Sequence, residues 1–329
     1  MSGLRQAKQA ILKAGRATGA FALVRGSGWR AQRLLILCYH GISKEDEHEW
    51  NPGLYIPQAK FRERMELLRS GGYRVLPLDE SLRLLQLGKL PPRSVAITFD
   101  DGAHDFFTLA YPVLKEFGYA STVYLTTYYC LNQLPVFDVV SSYVLWKGRA
   151  RLEGNTGWRE RARRLYQEVR ENKIGAAEKD SLAEDLAQRL GVDYQRIRDH
   201  RILYLMNPAE VKTISENGVS IELHTHRHRT PRDRALFERE IVDNRKEIVA
   251  ITGKTPTHFC YPSGDYVPEF FGWLRDLGVQ SATTCVTGLA ASSSNIFELP
   301  RLLDVDTLTD IEVEGWLTGL SALLPARSS

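Results

Sequence analysis

Two adjacent carboxylates, Asp100 and Asp101, stand at the end of a short apolar run from Val95 to Phe99 and are followed by Gly102. On an extended backbone neighbouring side chains project to opposite sides. The pair can therefore divide its labour, one carboxylate binding a metal while the other handles a proton. An acidic turn punctuated by Asp-Gly is the plain alternative. Further along, His224, His226 and His228 follow a second expected strand, Val219 to Leu223. Imidazoles four residues apart converge if the chain makes one helix-like turn after the strand. With one carboxylate they form a 2-His-1-carboxylate set that leaves positions open for water and substrate. His226, between them, points elsewhere, toward the support of its own loop or toward solvent. A third run, Thr257 to Tyr261, ends in Pro262-Ser263-Gly264.

Elements that could bring these groups together are legible along the chain. Leu34 to Tyr39 reads as a buried strand ending in His40-Gly41, and Pro57 to Arg69 as a helix with Phe61, Met65 and Leu68 on one face. Tyr73 to Leu76 reads as a strand, Asp79 to Leu87 as an amphipathic helix closed by Gly88, and Ala120 to Leu125 as another strand. Such repeated alternation predicts parallel βα units, not a sandwich. In open and closed sheets of that kind, chemistry collects at the carboxyl ends of the strands. The pattern turns helical between about residues 135 and 205, which predicts an insertion laid on a barrel, a packing or dimerisation element before a substrate lid. It resumes at Asn207-Pro208, a cap followed by proline at the first helical position. A helix from about Arg234 to Thr252 is expected to face Leu236, Ile241, Ile248 and Ile251 inward. Val279 to Thr284 and Phe297 to Leu303 supply the last strands, and Asp310 to Leu320 a covering helix.

Composition excludes several classes. A net charge of +3 on 329 residues, with no arginine stripe interleaved with aromatics, gives no footprint for nucleic acid. Cys38, Cys130, Cys260 and Cys285 are scattered, so neither a disulfide framework nor a zinc ribbon is signalled. No apolar run reaches the roughly 18 residues of a spanning helix. Residues 1–44 hold no Asp or Glu but do hold Arg5, Lys8, Lys13, Arg16, Arg25, Arg30 and Arg33. Residues 1–33 are expected to form a basic tail. It is either solvated and partly helical, or a basic surface helix resting weakly on anionic lipid through Leu4, Ile11, Leu12 and Phe21. The run Gly19 to Val24 is too short for a secretory signal, so a cytoplasmic protein, peripheral on the inner membrane surface, is expected. The domain plan is this tail, a barrel over residues 34–305, and a closing helix and tail over 306–329. Oligomeric state is not legible.

Thr98-Phe99-Asp100-Asp101-Gly102 and His224-Thr225-x-x-His228, in this order, resemble the first two motifs of the NodB-type polysaccharide deacetylases, metal-dependent carbohydrate esterases. Phe259-Cys260-Tyr261-Pro262-Ser263-Gly264 resembles a version of their third motif, and the likeness spans roughly residues 34 to 305. The resemblance implies a distorted (β/α) barrel of the α/β class. Asp101, His224 and His228 would hold one divalent metal, most often zinc, and Asp100 would be the general base. It also implies an N-acetylated glycan as substrate. The backbone N–H near Ser263 would help hold the oxyanion. Tyr261, Pro262 and His40 would line the substrate, and Thr225 would brace the histidine loop.

The departures are informative. Where the family often carries an arginine in its third motif, this chain has Cys260; where a Leu-x-His is usual near the carboxyl end, it has Leu299-Pro300-Arg301. Arg301 is therefore expected to supply the missing positive charge beside Asp100 from a different strand. A guanidinium donates protons poorly, which leaves His40, or Asp100 itself once protonated, as the general acid. Hydrolysis of another C–N bond, such as a cyclic imide, is the enzymatic alternative; a degenerate glycan-binding protein is the non-catalytic one. An iron oxygenase uses similar ligands but on a double-stranded β fold, which helix-rich alternation disfavours.

Overall fold

The computed structural model describes residues 3–152, 157–171 and 176–325. Seven strands form the ring: β1 Arg33–Tyr39, β2 Ser94–Phe99, β3 Thr122–Leu125, β4 Ser220–Leu223, β5 His258–Cys260, β6 Ser281–Thr283 and β7 Leu302–Leu303. From β1 to β6 each strand pairs in parallel with the next. β7 then returns beside β1, with Leu37 opposite Leu302 and Cys38 opposite Leu303. Leu299 spans the remaining gap by bridging Thr283. Its N–H donates to Ala282 O at 2.9 Å, and its carbonyl accepts from Thr284 at 3.0 Å. The result is an irregular (β/α) barrel, built of the parallel βα units that the alternation predicted and distorted as the family resemblance implied.

The period of two along each strand decides what faces the barrel axis. Val95, Ile97 and Phe99 pack outward beneath the helices, with Leu35, Leu37, Tyr39, Val123, Leu223 and Phe259. Leu34, Ile36, Ala96, Tyr124, Cys260 and Leu299 form a separate inner cluster. Leu78, Leu82 and Leu85, from the helix Leu78–Gln86, pack into that inner cluster. Continuing the inner rows to the strand ends places Cys38 and His40, Thr98 and Asp100, and Cys260 on the axis side. The sequence thus aims its chemistry inward by parity alone.

The stretch between residues 135 and 205 is helical in its described part: Phe137–Lys147, Trp158–Glu171, Ala176–Leu190 and Tyr194–Asp199. It buries a core of its own, including Val140, Tyr143, Val144, Ala183, Ala187 and Ile197. Residues 153–156 and 172–175 of this expected insertion lie outside the described residues, as do 326–329 of the expected carboxyl-terminal tail. On its return the insertion is stitched to the loop after β2. Ala103 bridges Leu205, His104 N donates to Tyr204 O, and Met206 N donates to Gly102 O, both at 2.9 Å.

The amino-terminal segment differs from the expected tail. Gly3–Ala17, Ala20–Gly26 and Gly28–Ala31 are helices docked on the helix Asp310–Thr318. Leu12 and Phe21, expected as lipid anchors, are buried against Ile311. Arg30 is 1% exposed, its Nε donating to Leu317 O at 2.9 Å. Arg5 and Arg16 pair with Glu312 and Glu314 at 2.7 and 3.1 Å. An amphipathic helix seeks any apolar partner, and here the chain's other end supplies it. Leu4, Ile11 and Leu23 remain exposed.

Candidate metal and catalytic site

The ends of β2, β4 and β5 share an uncommon backbone feature. Asp101, Thr225, His228 and Ser263 all have positive φ, at 67°, 63°, 54° and 57°. Non-glycine residues in that region carry a cost of about 1–3 kcal/mol each and cluster where function requires a side chain to be aimed. Here the turns deliver Asp101 and His228 to one point. Asp101 Oδ1 lies 3.2 Å from His224 Nε2 and 3.1 Å from His228 Nε2. All three donor atoms fall within 4.8 Å of one another.

The donor set fits a divalent cation. Asp101 Oδ1 is buried and accepts no hydrogen bond of good geometry, although two imidazole nitrogens face it. A carboxylate oxygen in that position lacks a positive partner. His224 Nδ1 is 2.9 Å from Cys260 O. A carbonyl can only accept, so Nδ1 carries the proton and Nε2 presents its lone pair to the site. His224 is buried, whereas Asp101 and His228 keep about a third of their side chains exposed, which leaves the site open on one side.

Asp100 turns the other way, into the barrel, and meets Arg301. Nη1 donates to Oδ1 at 2.7 Å and Nη2 to Oδ2 at 2.8 Å, with both side chains nearly inaccessible. The guanidinium is itself held by Thr284 O at 3.0 Å and touches Thr98 Oγ1 at 3.3 Å and Cys260 Sγ at 3.1 Å. Burial alone would raise the Asp100 pKa. Arg301 overcomes this, and the carboxyl is held well below its usual range. Cys38 and Cys260 each bring Sγ to 3.5 Å from Oδ2, and burial pushes both thiols up, so they sit there as neutral donors. His40 Nε2 is 3.7 Å from the same oxygen. Burial lowers the His40 pKa and Asp100 opposes that lowering.

The remaining expected residues divide. Thr225 is fully buried, and its Oγ1 accepts the Arg229 N–H at 3.1 Å, closing the histidine loop on itself. His226 turns away from the metal ligands, with Nδ1 2.8 Å from Thr127 Oγ1. Ser263 is exposed on the turn after β5. Tyr261 does not line the site with its side chain, contrary to expectation. Its ring is buried outside the barrel against Phe259, Phe270 and Tyr266, and its hydroxyl donates to Phe297 O at 3.0 Å. Cys260 faces the axis, so Tyr261 must face outward. Pro262 is likewise buried.

Sequence reasoning missed the supports. On the helix Arg234–Thr252 the buried row is Phe237, Glu240, Ile241, Asn244 and Ile248, while Leu236 is 49% exposed. Glu240 and Asn244, which the apolar pattern did not single out, face the histidine loop. The signal lay in their spacing of three or four from Phe237, Ile241 and Ile248.

A family model described as polysaccharide deacetylase matches residues 87–282, more than half of the chain. Among curated proteins, a putative polysaccharide deacetylase of Bacillus subtilis, YxkH, is 39% identical over 94 residues, 28% of this chain and 32% of that protein. A poly-beta-1,6-N-acetyl-D-glucosamine N-deacetylase of Staphylococcus aureus is 35% identical over 72 residues, 22% of this chain and 25% of that protein. The chain thus spans a third or less of the curated relatives it matches. Among solved structures, the Streptococcus pyogenes deacetylase PplD superposes with a TM-score of 0.60 at 18% identity, over 89% of this chain and 99% of that one. IcaB from Ammonifex degensii gives 0.56 at 17% identity, over 87% and 97%. These two likenesses establish the fold.

Proposed function

The chain belongs to the polysaccharide deacetylase family, and from that membership we propose that it is a metal-dependent hydrolase that removes N-acetyl groups from an amino sugar of a polysaccharide or lipid-linked glycan. The observation that carries this reading is the side-by-side placement of two differently tuned carboxylates. Asp101 faces His224 and His228, and Asp100 is locked by Arg301. Asp101, His224 and His228 would hold the ion, for which we name zinc. A divalent ion there supplies Lewis-acid polarisation of the acetamide carbonyl and makes water acidic enough to attack near neutral pH.

The protein's own groups carry the protons. Asp100, kept ionised by Arg301, takes a proton from the attacking water. The amide C–N bond breaks, acetate leaves with the water's oxygen, and the departing amine needs a proton. In this proposal His40, 3.7 Å from Asp100 Oδ2 and partly exposed at the end of β1, receives the proton that Asp100 took from water and passes it to the amine, which returns both groups to their starting states. The Ser263 N–H, on an exposed turn with φ of 57°, is the proposed partner of the developing oxyanion.

The cytoplasmic location, with weak attachment to anionic membrane, is part of the same proposal. Four unpaired thiols are compatible with a reducing compartment. Exposed Leu4, Ile11 and Leu23 beside Lys8 and Lys13 suit an anionic lipid surface.

The test is acetate release from a panel of N-acetylated glycans, with chelator and with added zinc. Release that a chelator abolishes and zinc restores is expected. A protein that binds one equivalent of zinc yet frees acetate from no amino sugar, while opening a cyclic imide, would replace this reading with the other C–N hydrolase.

A further inference from the structure

The metal ligands come from loops on different strands, and their spacing is set by groups that touch neither substrate nor ion. Asn244 is completely buried at the centre of that arrangement. Its Oδ1 accepts the backbone N–H of His224 at 3.0 Å. Its Nδ2 donates to Leu125 O and to Thr127 Oγ1, both at 2.9 Å. Three of the four hydrogen-bonding positions of the amide are thus filled, and each partner lies at the end of β3 or β4.

The end of β3 is in turn fastened to both ligand loops. Thr126 N donates to Asp101 O at 3.1 Å, and Thr126 Oγ1 donates to His224 O at 3.2 Å. Leu125 to Thr127 therefore forms a bridge between the Asp101 loop and the His224 loop, and Asn244 clamps that bridge to His224. One turn earlier on the same helix, Glu240 holds the far side of the histidine loop. Its carboxylate accepts Arg227 N at 2.8 Å and Arg229 Nε at 2.7 Å, and its carbonyl accepts His226 N at 3.1 Å. The same helix thus grips the loop at His224 and again between His226 and Arg229.

We infer that Asn244 is a positioning residue for the metal site, fixing the separation of His224 from Asp101 through the end of β3, with Glu240 setting the return of the loop that carries His228. This rests on the proposed metal-dependent reading and extends it to residues that do no chemistry. Apolar residues at 240 and 244 would have completed the core face of this helix. An amide and a carboxylate are needed there only because the loop's backbone N–H groups are buried without strand partners.

The experiment measures metal binding directly. Purified full-length protein is stripped and titrated with Co(II), read by its visible absorption, and with Zn(II) by competition. Asn244→Ala is expected to weaken affinity by roughly 10–100-fold, the usual loss for an outer hydrogen-bond partner of a metal site, and to alter the Co(II) spectrum. Ile248→Ala, a cavity one turn along the same helix, is the control. It should lower the melting temperature while leaving affinity and spectrum unchanged. Thr127→Val, similar in shape, removes one bond to Asn244 together with the Thr127 Oγ1 contact to His226 Nδ1, keeps the other two Asn244 bonds, and should weaken binding in the same direction by less. It keeps the test decisive if Asn244→Ala does not fold. Wild-type affinity and spectrum in folded Asn244→Ala, or in Thr127→Val when the former is insoluble, would overturn the inference. A wild-type protein that binds no Co(II) would instead overturn the metal-dependent reading, so the two failures are distinguishable.

Discussion

Arg301 reaches Asp100 inside the barrel and closes a two-pronged pair at 2.7 and 2.8 Å, from the segment that flanks β1 on the side opposite β2. The position where the family's third motif often carries an arginine is Cys260, and its thiol lies 3.1 Å from the same guanidinium. The positive charge expected beside Asp100 thus comes from Arg301 and not from the strand that carries Cys260.

The pair sits in a nearly water-free environment, so removing one member leaves the other stranded. Arg301→Ala is expected to destabilise the fold by about 3–5 kcal/mol, the usual penalty for an unpartnered buried charge. Turnover should fall while zinc content stays near wild type, because Arg301 touches no ligand. Arg301→Lys restores charge but not the fork, and is expected to recover stability better than turnover. Thermal melts and metal analysis of both variants check this; loss of zinc along with turnover would contradict it.

The two aspartates should separate cleanly. Asp100→Asn is expected to lower acetate release by roughly 10²–10⁴-fold, the range of general-base catalysis, with zinc retained. Asp101→Asn should lose zinc affinity first and activity as a consequence. Equal loss of metal in both variants, measured by equilibrium dialysis, would reverse the assignment of roles.

How far the sequence carries depends on how local each constraint is. Asp100, Asp101, His224 and His228 were legible because apolar strands announce their own ends, and the ends of parallel strands face one rim. Arg301 was legible because a charge missing at Cys260 had to enter from another strand end. The same reasoning misplaced Tyr261 by ignoring parity, since a residue next to inward Cys260 faces outward. Asn244 and Glu240 were not singled out, because an inward face was sought among apolar residues and Leu236 was placed on it by type, while it is 49% exposed. The burial of Leu12 and Phe21 depends on Ile311, at the other end of the chain, and no window of sequence contains both. The helical stretch between residues 135 and 205 was legible as helix. Its stitching to Gly102 and His104 was not, because backbone hydrogen bonds carry no residue-type signal.

The docking of the two chain ends is expected to depend on pH through Glu312. Burial alone would raise the Glu312 pKa. The side chains of Arg5, Thr309 and Gln9 and the Thr309 backbone outweigh it, and the carboxyl is brought down to about 2. A depressed carboxyl contributes stability that is fully present above its unfolded value, near 4.5, and is lost as pH falls from there toward about 2. Amide protection factors in the helix Gly3–Ala17, taken relative to intrinsic exchange at each pH, should therefore fall over that window ahead of those of the barrel strands. Glu312→Gln should flatten the response; an unchanged acid profile would show that the pair contributes nothing.

The amino-terminal helices present two faces, and they should respond oppositely to mutation. Leu12 and Phe21 are 2% and 7% exposed against the carboxyl-terminal helix, so Leu12→Ala and Phe21→Ala are each expected to cost about 2–5 kcal/mol. Leu4, Ile11 and Leu23 are 50%, 49% and 76% exposed, so their replacement by Asp should leave the melting temperature nearly unchanged. If this face rests on lipid, wild-type protein should co-sediment with vesicles rich in phosphatidylglycerol but not with phosphatidylcholine vesicles. Association should weaken as salt is raised, because Lys8 and Lys13 contribute through screened charge. The triple variant Leu4→Asp, Ile11→Asp, Leu23→Asp should then stay in the supernatant with acetate release on a soluble glycan intact. Equal sedimentation of the triple variant and wild type would remove this face from the proposal and leave the segment a purely structural brace between the chain's two ends.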